Sequence, residues 1–289
     1  RLNYPLHQDA VNPSGGLTVA WFTDIEKDPD YGIRTEHQRP SKPRNLKMRY
    51  RQKLRNGLIL VSFFLFPAVF FYFSPVLIVE ASREGIINGS FIVFALLFVS
   101  ALALGRGFCG WVCPAAGCQE ALFSARKKKV MSGNLLKWLI WFPWIALIII
   151  FAFNSGGYRR VDFFYQTTFG LSVGTVNGVI IYYSVLMLLI VIPALVIGKR
   201  SFCHHLCWMA PFMIVGRKTA VLISIPSLKL TAETERCIEC NRCSAQCPMS
   251  LPVQEMVKTG NMENCECILC GTCIDVCKTR TIRLGFGTI

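Results

Sequence analysis

The sequence predicts a mainly α architecture: a polytopic four-helix membrane domain with an internal duplication, then a small α+β ferredoxin domain holding two [4Fe–4S] clusters. Three observations predict it. Long uncharged apolar runs fill the middle of the chain, a Cys-x3-Cys motif occurs twice at equivalent places, and the C-terminal part carries Cys-x2-Cys-x2-Cys-x3-Cys twice. The expected boundaries are residues 1–55 for an N-terminal arm, 56–226 for the membrane domain and 227–289 for the ferredoxin domain.

Residues 1–40 are polar, with turn residues and little periodicity, and read as an extended arm. His7 and His37 in it read as plain surface histidines. Segment 41–55, SKPRNLKMRYRQKLR, carries seven Lys or Arg and no acid. A net charge of +14 would suit nucleic acid, but the chain is 53% hydrophobic, and basic charge beside long apolar runs points to membrane topology instead. No nucleic-acid partner is expected. No cleavable signal peptide is read either, because the first apolar run begins only after residue 55.

Four runs are candidate spans: Gly57–Val79, Ile87–Leu104, Trp138–Phe153 and Thr175–Ile197. A span needs ~20 apolar residues, with ~17 as a working minimum. The third reaches that length from Leu135 if Lys137 snorkels to the interface. None of the four contains Asp, Glu, Lys or Arg, so an ion pump built from this chain alone is not expected. Arg106 and Arg126–Lys129 follow the second run; Lys199, Arg200, Arg217 and Lys218 follow the fourth. The opposite loops hold only Arg83 and the pair Arg159 and Arg160. The positive-inside rule therefore puts both termini and the ferredoxin domain in the cytoplasm, on the inner membrane, with each basic cluster facing lipid headgroups. The aromatic loop SGGYRRVDFFYQTTFGLS reads as an interfacial belt, with a quinone headgroup as the alternative occupant.

LGRGFCGWVCPAA from Leu104 and IGKRSFCHHLCWMAP from Ile197 are the repeat. If each segment is helical, cysteines four apart share a face. Two such pairs meeting across a pseudo-twofold would gather Cys109, Cys113, Cys203 and Cys207 into a metal or iron–sulfur site. The alternative is helix packing by small thiols. Cys118 has no counterpart in the second repeat and reads as packing or a spare ligand; His204 and His205 read as headgroup or backbone hydrogen bonders.

CIECNRCSAQCP and CECILCGTCIDVCK carry the ferredoxin pattern. In two-cluster ferredoxins the fourth cysteine of each run ligates the other cluster. One cluster is thus expected on Cys237, Cys240, Cys243 and Cys277, the other on Cys267, Cys270, Cys273 and Cys247. Zinc or disulfides are the rivals, and a cytoplasmic site disfavours disulfides. Lys278 replaces the usual proline, Cys265 is extra, and residues 249–264 between the runs should include a short helix.

Over about residues 45–289 the chain resembles the membrane-bound 4Fe–4S proteins of the NapH type, related to the membrane cores of NosR and CcoG. CGWVCP, CHHLCW and the two ferredoxin runs carry the likeness, with Trp208 where the family has proline. The resemblance implies an electron-transfer subunit of an oxidoreductase complex, working between a quinone pool or soluble donor and a partner redox protein. It implies lipid and other redox subunits as partners. The likeness to CcoG implies the alternative, an assembly or metal-handling factor.

Overall fold

The computed structural model describes residues 50–122, 135–172, 174 and 176–288. These belong to one compact unit, Met48–Ile289. The arm, most of the basic segment before Tyr50 and the turn Arg126–Lys129 lie outside the described residues.

Helix α1, Tyr50–Val69, runs through a 3₁₀ turn at Phe70–Phe73 into α2, Pro75–Arg83. Ser74 caps α2 by accepting a hydrogen bond from the Leu77 N–H, with Pro75 at the first helical position, where a missing N–H costs nothing. Strand β1, Ile86–Asn88, leads to α3, Gly89–Leu104. Asn88 fixes that corner: its Oδ1 accepts from Phe91 N–H at 2.9 Å and its Nδ2 donates to Leu77 O at 2.8 Å. After α3 come α4, Gly107–Trp111, and α5, Pro114–Ala121; then α6, Leu135–Asn154, β2, Arg160–Asp162, and α7, Val176–Val185. β1 and β2 pair in parallel and tie the two loops at the end remote from the cysteine motifs. A π-helical stretch, Leu186–Val191, joins α7 to α8, Ile192–Val196, beside Pro193, which supplies no ladder N–H. Helices α9, Ser201–His205, and α10, Ala210–Leu222, complete the membrane part.

Among the described residues three helical segments are long and apolar enough to cross a membrane: Tyr50–Arg83, Leu135–Asn154 and Val176–Val196. The expected fourth, α3, has 16 residues, roughly 24 Å at 1.5 Å per residue, short of a hydrocarbon core of about 30 Å. Gly105, at φ 55, stops it. Large apolar side chains face outward along these helices, among them Phe64, Leu139, Phe153 and Val176. Inside, Phe66, Phe70 and Tyr182 meet edge to face, joining the two repeats. Phe212 of α10 meets Phe94, Trp141 and Trp144 at centroid distances of 5.3, 5.4 and 5.6 Å.

Two expectations are corrected here. Lys137 does not snorkel: its side chain is fully buried and its Nζ pairs with Glu266. The boundary at 55/56 falls inside α1, whose Arg51 and Arg55 are held by Asp275 and Glu120.

The C-terminal part is closed by β3, Ser227–Ala232, antiparallel to β4, Ile282–Gly287, in register from Ser227↔Gly287 to Ala232↔Ile282. Between them lie α11, Arg242–Ala245, α12, Val253–Lys258, and α13, Thr272–Val276. The short helix expected within 249–264 is α12.

Candidate functional site

Each ferredoxin run folds by the same local rule. Residues two, four and thirteen places after the first cysteine have positive φ in both runs: Glu239 and Leu269 (52° and 50°), Asn241 and Gly271 (52° and 73°), Ser250 and Arg280 (both 54°). Such angles are uncommon outside glycine, and turns of this kind point successive N–H groups into a concavity that suits an anion. The two runs then cross. One cavity is lined by Cys237, Cys240, Cys243 and Cys277, the other by Cys247, Cys267, Cys270 and Cys273. These are the two foursomes expected from the spacing.

The cavities differ in exposure. Cys240 is exposed, as is neighbouring Ile238, so the first opens outward. Cys247, Cys270 and Cys273 are buried, and the second cavity is walled by Leu230, Met249, Leu251, Val253, Met262 and Ile268. Burial pushes the Cys267 thiol up to about 12 and Cys273 well above its ordinary range. Partial burial also works to raise Cys277, but hydrogen bonding with Thr279 and Thr281 wins and draws it down. Among the described residues no three Cys, His, Asp or Glu converge closely enough to hold one metal ion. A cubane spreads four thiolates around a wider cage than one zinc ion does, so the donor set and the dry walls fit [4Fe–4S].

The Cys-x3-Cys segments are not continuous helices. Cys109 lies on α4 and Cys203 on α9, each helix only five residues long. Each chain then turns, the Cys113 N–H reaching Phe108 O at 3.0 Å and the Cys207 N–H reaching Phe202 O at 2.9 Å. Cys113 caps α5 with Pro114 behind it. In the second motif Trp208 fills the proline place, donates to Phe73 O and packs edge-on against Phe202. The helix-starting proline moves to Pro211, in the first turn of α10.

The two motifs nevertheless meet. The helix after each motif reaches the other repeat: α10 packs on α3, and α5, seated mainly on α1, also touches Leu186–Val191. Gly216 makes the first approach possible, since a Cβ there would sit 2.8 Å from Phe98 O. Met213 Sδ thereby lies 3.4 Å from Cys109 Sγ, and Gln119 Nε2 lies 3.4 Å from Cys203 Sγ. Positions 119 and 213 are equivalent in the repeat, so each motif's first cysteine is touched by the other repeat's helix. All four thiols are buried. Burial raises Cys113 well above its ordinary range, and Cys109, Cys203 and Cys207 raise it further by proximity. Burial also raises Cys109, against the pull of Arg106 and Arg200, and lifts Cys207 to about 12. Polar groups beside the two motifs are buried without a hydrogen-bond partner: Arg106 Nε and Nη2, Arg200 Nε, Ser201 Oγ and both ring nitrogens of His204. A group that deprotonates the thiols and accepts hydrogen bonds fits this donor set.

The second ferredoxin cavity abuts the first motif. Gly110 lies so close to the Ile268 carbonyl that a Cβ would stand 2.2 Å from it. Trp111 Nε1 donates to Leu269 O at 3.1 Å, and Gln52 Nε2 to Cys270 O at 3.1 Å. Position 204, equivalent to 110, carries His, so the ferredoxin domain has room on one motif only. Buried ion pairs hold the contact: Glu266 receives Arg106 and Lys137, Glu263 receives Arg217, and Asp275 receives Arg51. Glu120 receives Arg55 and Arg200. Burial works to raise both Glu120 and Glu266, but the paired cations outweigh it and hold both carboxyls below their usual range. Arg106, Arg200 and Arg217 are therefore internal ion-pair partners, not the headgroup contacts expected of them. His204, buried with no partner at either ring nitrogen, is not the expected hydrogen bonder. Cys118 packs in the apolar core, and Cys265 offers its carbonyl to Arg106. The spacing of cysteines could not reveal the arginines, Gln119 or Met213, although the repeat offset pairs 106 with 200 and 119 with 213.

Comparison with known proteins agrees with this division. A family described as "4Fe-4S binding domain" matches residues 87–131 and again 180–224, once per repeat. A family described as "4Fe-4S dicluster domain" matches 229–278. An uncharacterised protein of Methanocaldococcus jannaschii, MJ0749, is 24% identical over 67% of this chain and 70% of its own length. The ferredoxin-type protein NapH of Haemophilus influenzae is 21% identical over 66% of this chain and 65% of its own. The methylamine utilization ferredoxin-type protein MauN of Methylobacillus flagellatus is 29% identical over 50% of this chain and 48% of its own. No solved structure matches the chain. Two matches to the 4Fe-4S binding domain, one to the dicluster domain and these relatives make the chain similar to ferredoxin-type 4Fe–4S membrane proteins of the NapH type.

Proposed function

We propose that the chain is a membrane-anchored relay, passing electrons between a soluble donor or the quinone pool and a partner redox protein. Cys237, Cys240, Cys243 and Cys277 would hold one [4Fe–4S] cluster, and Cys267, Cys270, Cys273 and Cys247 a second. Cys109, Cys113, Cys203 and Cys207 would hold a third centre. Bound there, each cluster supplies one-electron chemistry with no proton to move. The observation that carries the reading is the order of sites: an open cavity, a buried one, and the buried one seated on the Gly110 loop between Cys109 and Cys113. Such an order serves passage from solvent to the membrane edge or back.

Supporting a quinone, an apolar cavity of about 450 Å³ lined by Leu65, Val69, Tyr72, Phe73, Phe108 and Val112 reaches the first motif from the helix surface. Phe163 of the aromatic loop also lines it, so the cavity joins that loop to Phe108 and Val112 beside the cysteines. The basic asymmetry supports cytoplasmic termini. Rapid mixing of the full chain in detergent with a soluble one-electron reductant tests the relay. Signals of the dicluster module should fall first and that of the third centre later; a third centre reduced first or in parallel overturns the order. An assembly factor would instead show transient association with an immature enzyme and no stable stoichiometric complex.

A further inference from the structure

Arg106 and Arg200 occupy equivalent places in the two repeats, each three residues before the motif's first cysteine. Both side chains are fully buried, at 1% and 0% exposure. Arg200 itself is held at φ 50, a left-handed angle costly for arginine, and its Nη1 donates across the pseudo-twofold to Cys109 O at 2.9 Å. Each arginine is anchored by one carboxylate that also binds a second cation: Arg106–Glu266–Lys137 and Arg200–Glu120–Arg55. Four cations thus face two carboxylates in the interior. Uncompensated charge there is expensive, and donors left without acceptors add to the cost. The anchoring uses only part of each guanidinium: Arg106 Nε and Nη2 and Arg200 Nε remain without partners. The groups close enough to act on these two cations include Cys109 and Cys203.

We propose that Arg106 and Arg200 are a paired cationic clamp for an anionic iron–sulfur cluster on Cys109, Cys113, Cys203 and Cys207, and that they raise its reduction potential. This rests on the third-centre reading above. Four thiolates outweigh the positive charge of a cubane core, so the assembly is anionic and gains one more negative charge on reduction. Two cations donating N–H groups to its sulfurs favour the reduced form more than the oxidised one, since net charge and hydrogen bonds to sulfur set cluster potentials. The second ferredoxin cavity has no charged side chain in its wall, and the first has Arg242 and Glu239, the latter paired with Lys258. Arg106 acts on Cys109 and Cys203, whereas Arg200 acts on Cys203 and also on Cys247 and Cys270 of the second cavity. These are positioning residues, acting through the cluster.

Iron content and EPR-monitored potentiometry of the full chain in detergent test this, comparing the natural chain with Arg106→Gln and Arg200→Gln. The natural chain should hold about twelve iron, four per cubane. In either variant the third signal should shift down by at least tenfold in its equilibrium constant, about 59 mV for one electron, or be lost; in Arg106→Gln both dicluster signals should stay unmoved, and in Arg200→Gln one of them should shift less than the third. Arg106→Lys and Arg200→Lys keep the ion pairs and lose Nε–H; they should restore cluster content with a smaller shift of the same sign. If the glutamine variants do not accumulate, the lysine pair decides. A third signal whose potential is unmoved in the variants overturns the clamp alone. About eight iron in the natural chain overturns the third-centre reading and the clamp with it.

Discussion

Glu266, between Cys265 and Cys267, joins a cluster loop to two buried cations of the membrane part. Replacing it by glutamine leaves Arg106 and Lys137 facing each other in the interior, and breaking a buried pair costs about 3–5 kcal/mol. Limited proteolysis should then cut Glu266→Gln near the junction before Ser227 faster than the natural chain; equal rates would show that the pair does not hold the domains. Gly110→Ala probes the same contact from the other side. Its Cβ would stand 2.2 Å from the Ile268 carbonyl, and overpacking of this kind costs typically 1–3 kcal/mol. Reduction of the third centre through the dicluster module should slow while both dicluster signals persist; unchanged kinetics would contradict the docking. The grouping of the eight C-terminal cysteines was legible because it follows from local spacing. Arg106 and Lys137 were misjudged because a basic residue beside an apolar run looks the same whether it meets a lipid phosphate or a glutamate 160 or 129 residues away.

At the scale of elements, the apolar spans were legible from hydropathy, whereas α3 proved short because Gly105 turns the chain at Leu104. The four-residue spacing of Cys109 and Cys113 would place both on one face if the motif were a single helix. Pro114 favours a fresh helix start instead, and the repeat at Cys207 makes the same turn without that proline. What spacing could not reveal is the contact of α5 and α10 with the opposite repeat, which brings Met213 to Cys109 and Gln119 to Cys203. A shared site predicts that Cys109→Ser and Cys203→Ser each abolish the third EPR signal and that the double variant loses nothing further. Retention of that signal in the double variant would mean that the pairs only pack.

For the whole molecule, the proposed sidedness, with both termini in the cytoplasm, gives a labelling experiment. Ser155 lies at the end remote from the motifs, and Gly285 is on β4 with open space around it. In intact cells an impermeant thiol reagent should reach Ser155→Cys and leave Gly285→Cys unlabelled; the converse would invert the topology. Docking of the ferredoxin module onto one repeat was not legible, because it depends on a carbonyl from one domain fitting over a glycine of the other. The central claim, three cluster sites in one chain, is tested most directly by counting iron and acid-labile sulfide per chain. The comparison is the natural protein against one with Cys109, Cys113, Cys203 and Cys207 all changed to serine. About twelve of each falling to about eight is the predicted result. About eight in both, or zinc in place of iron and sulfide, would contradict it.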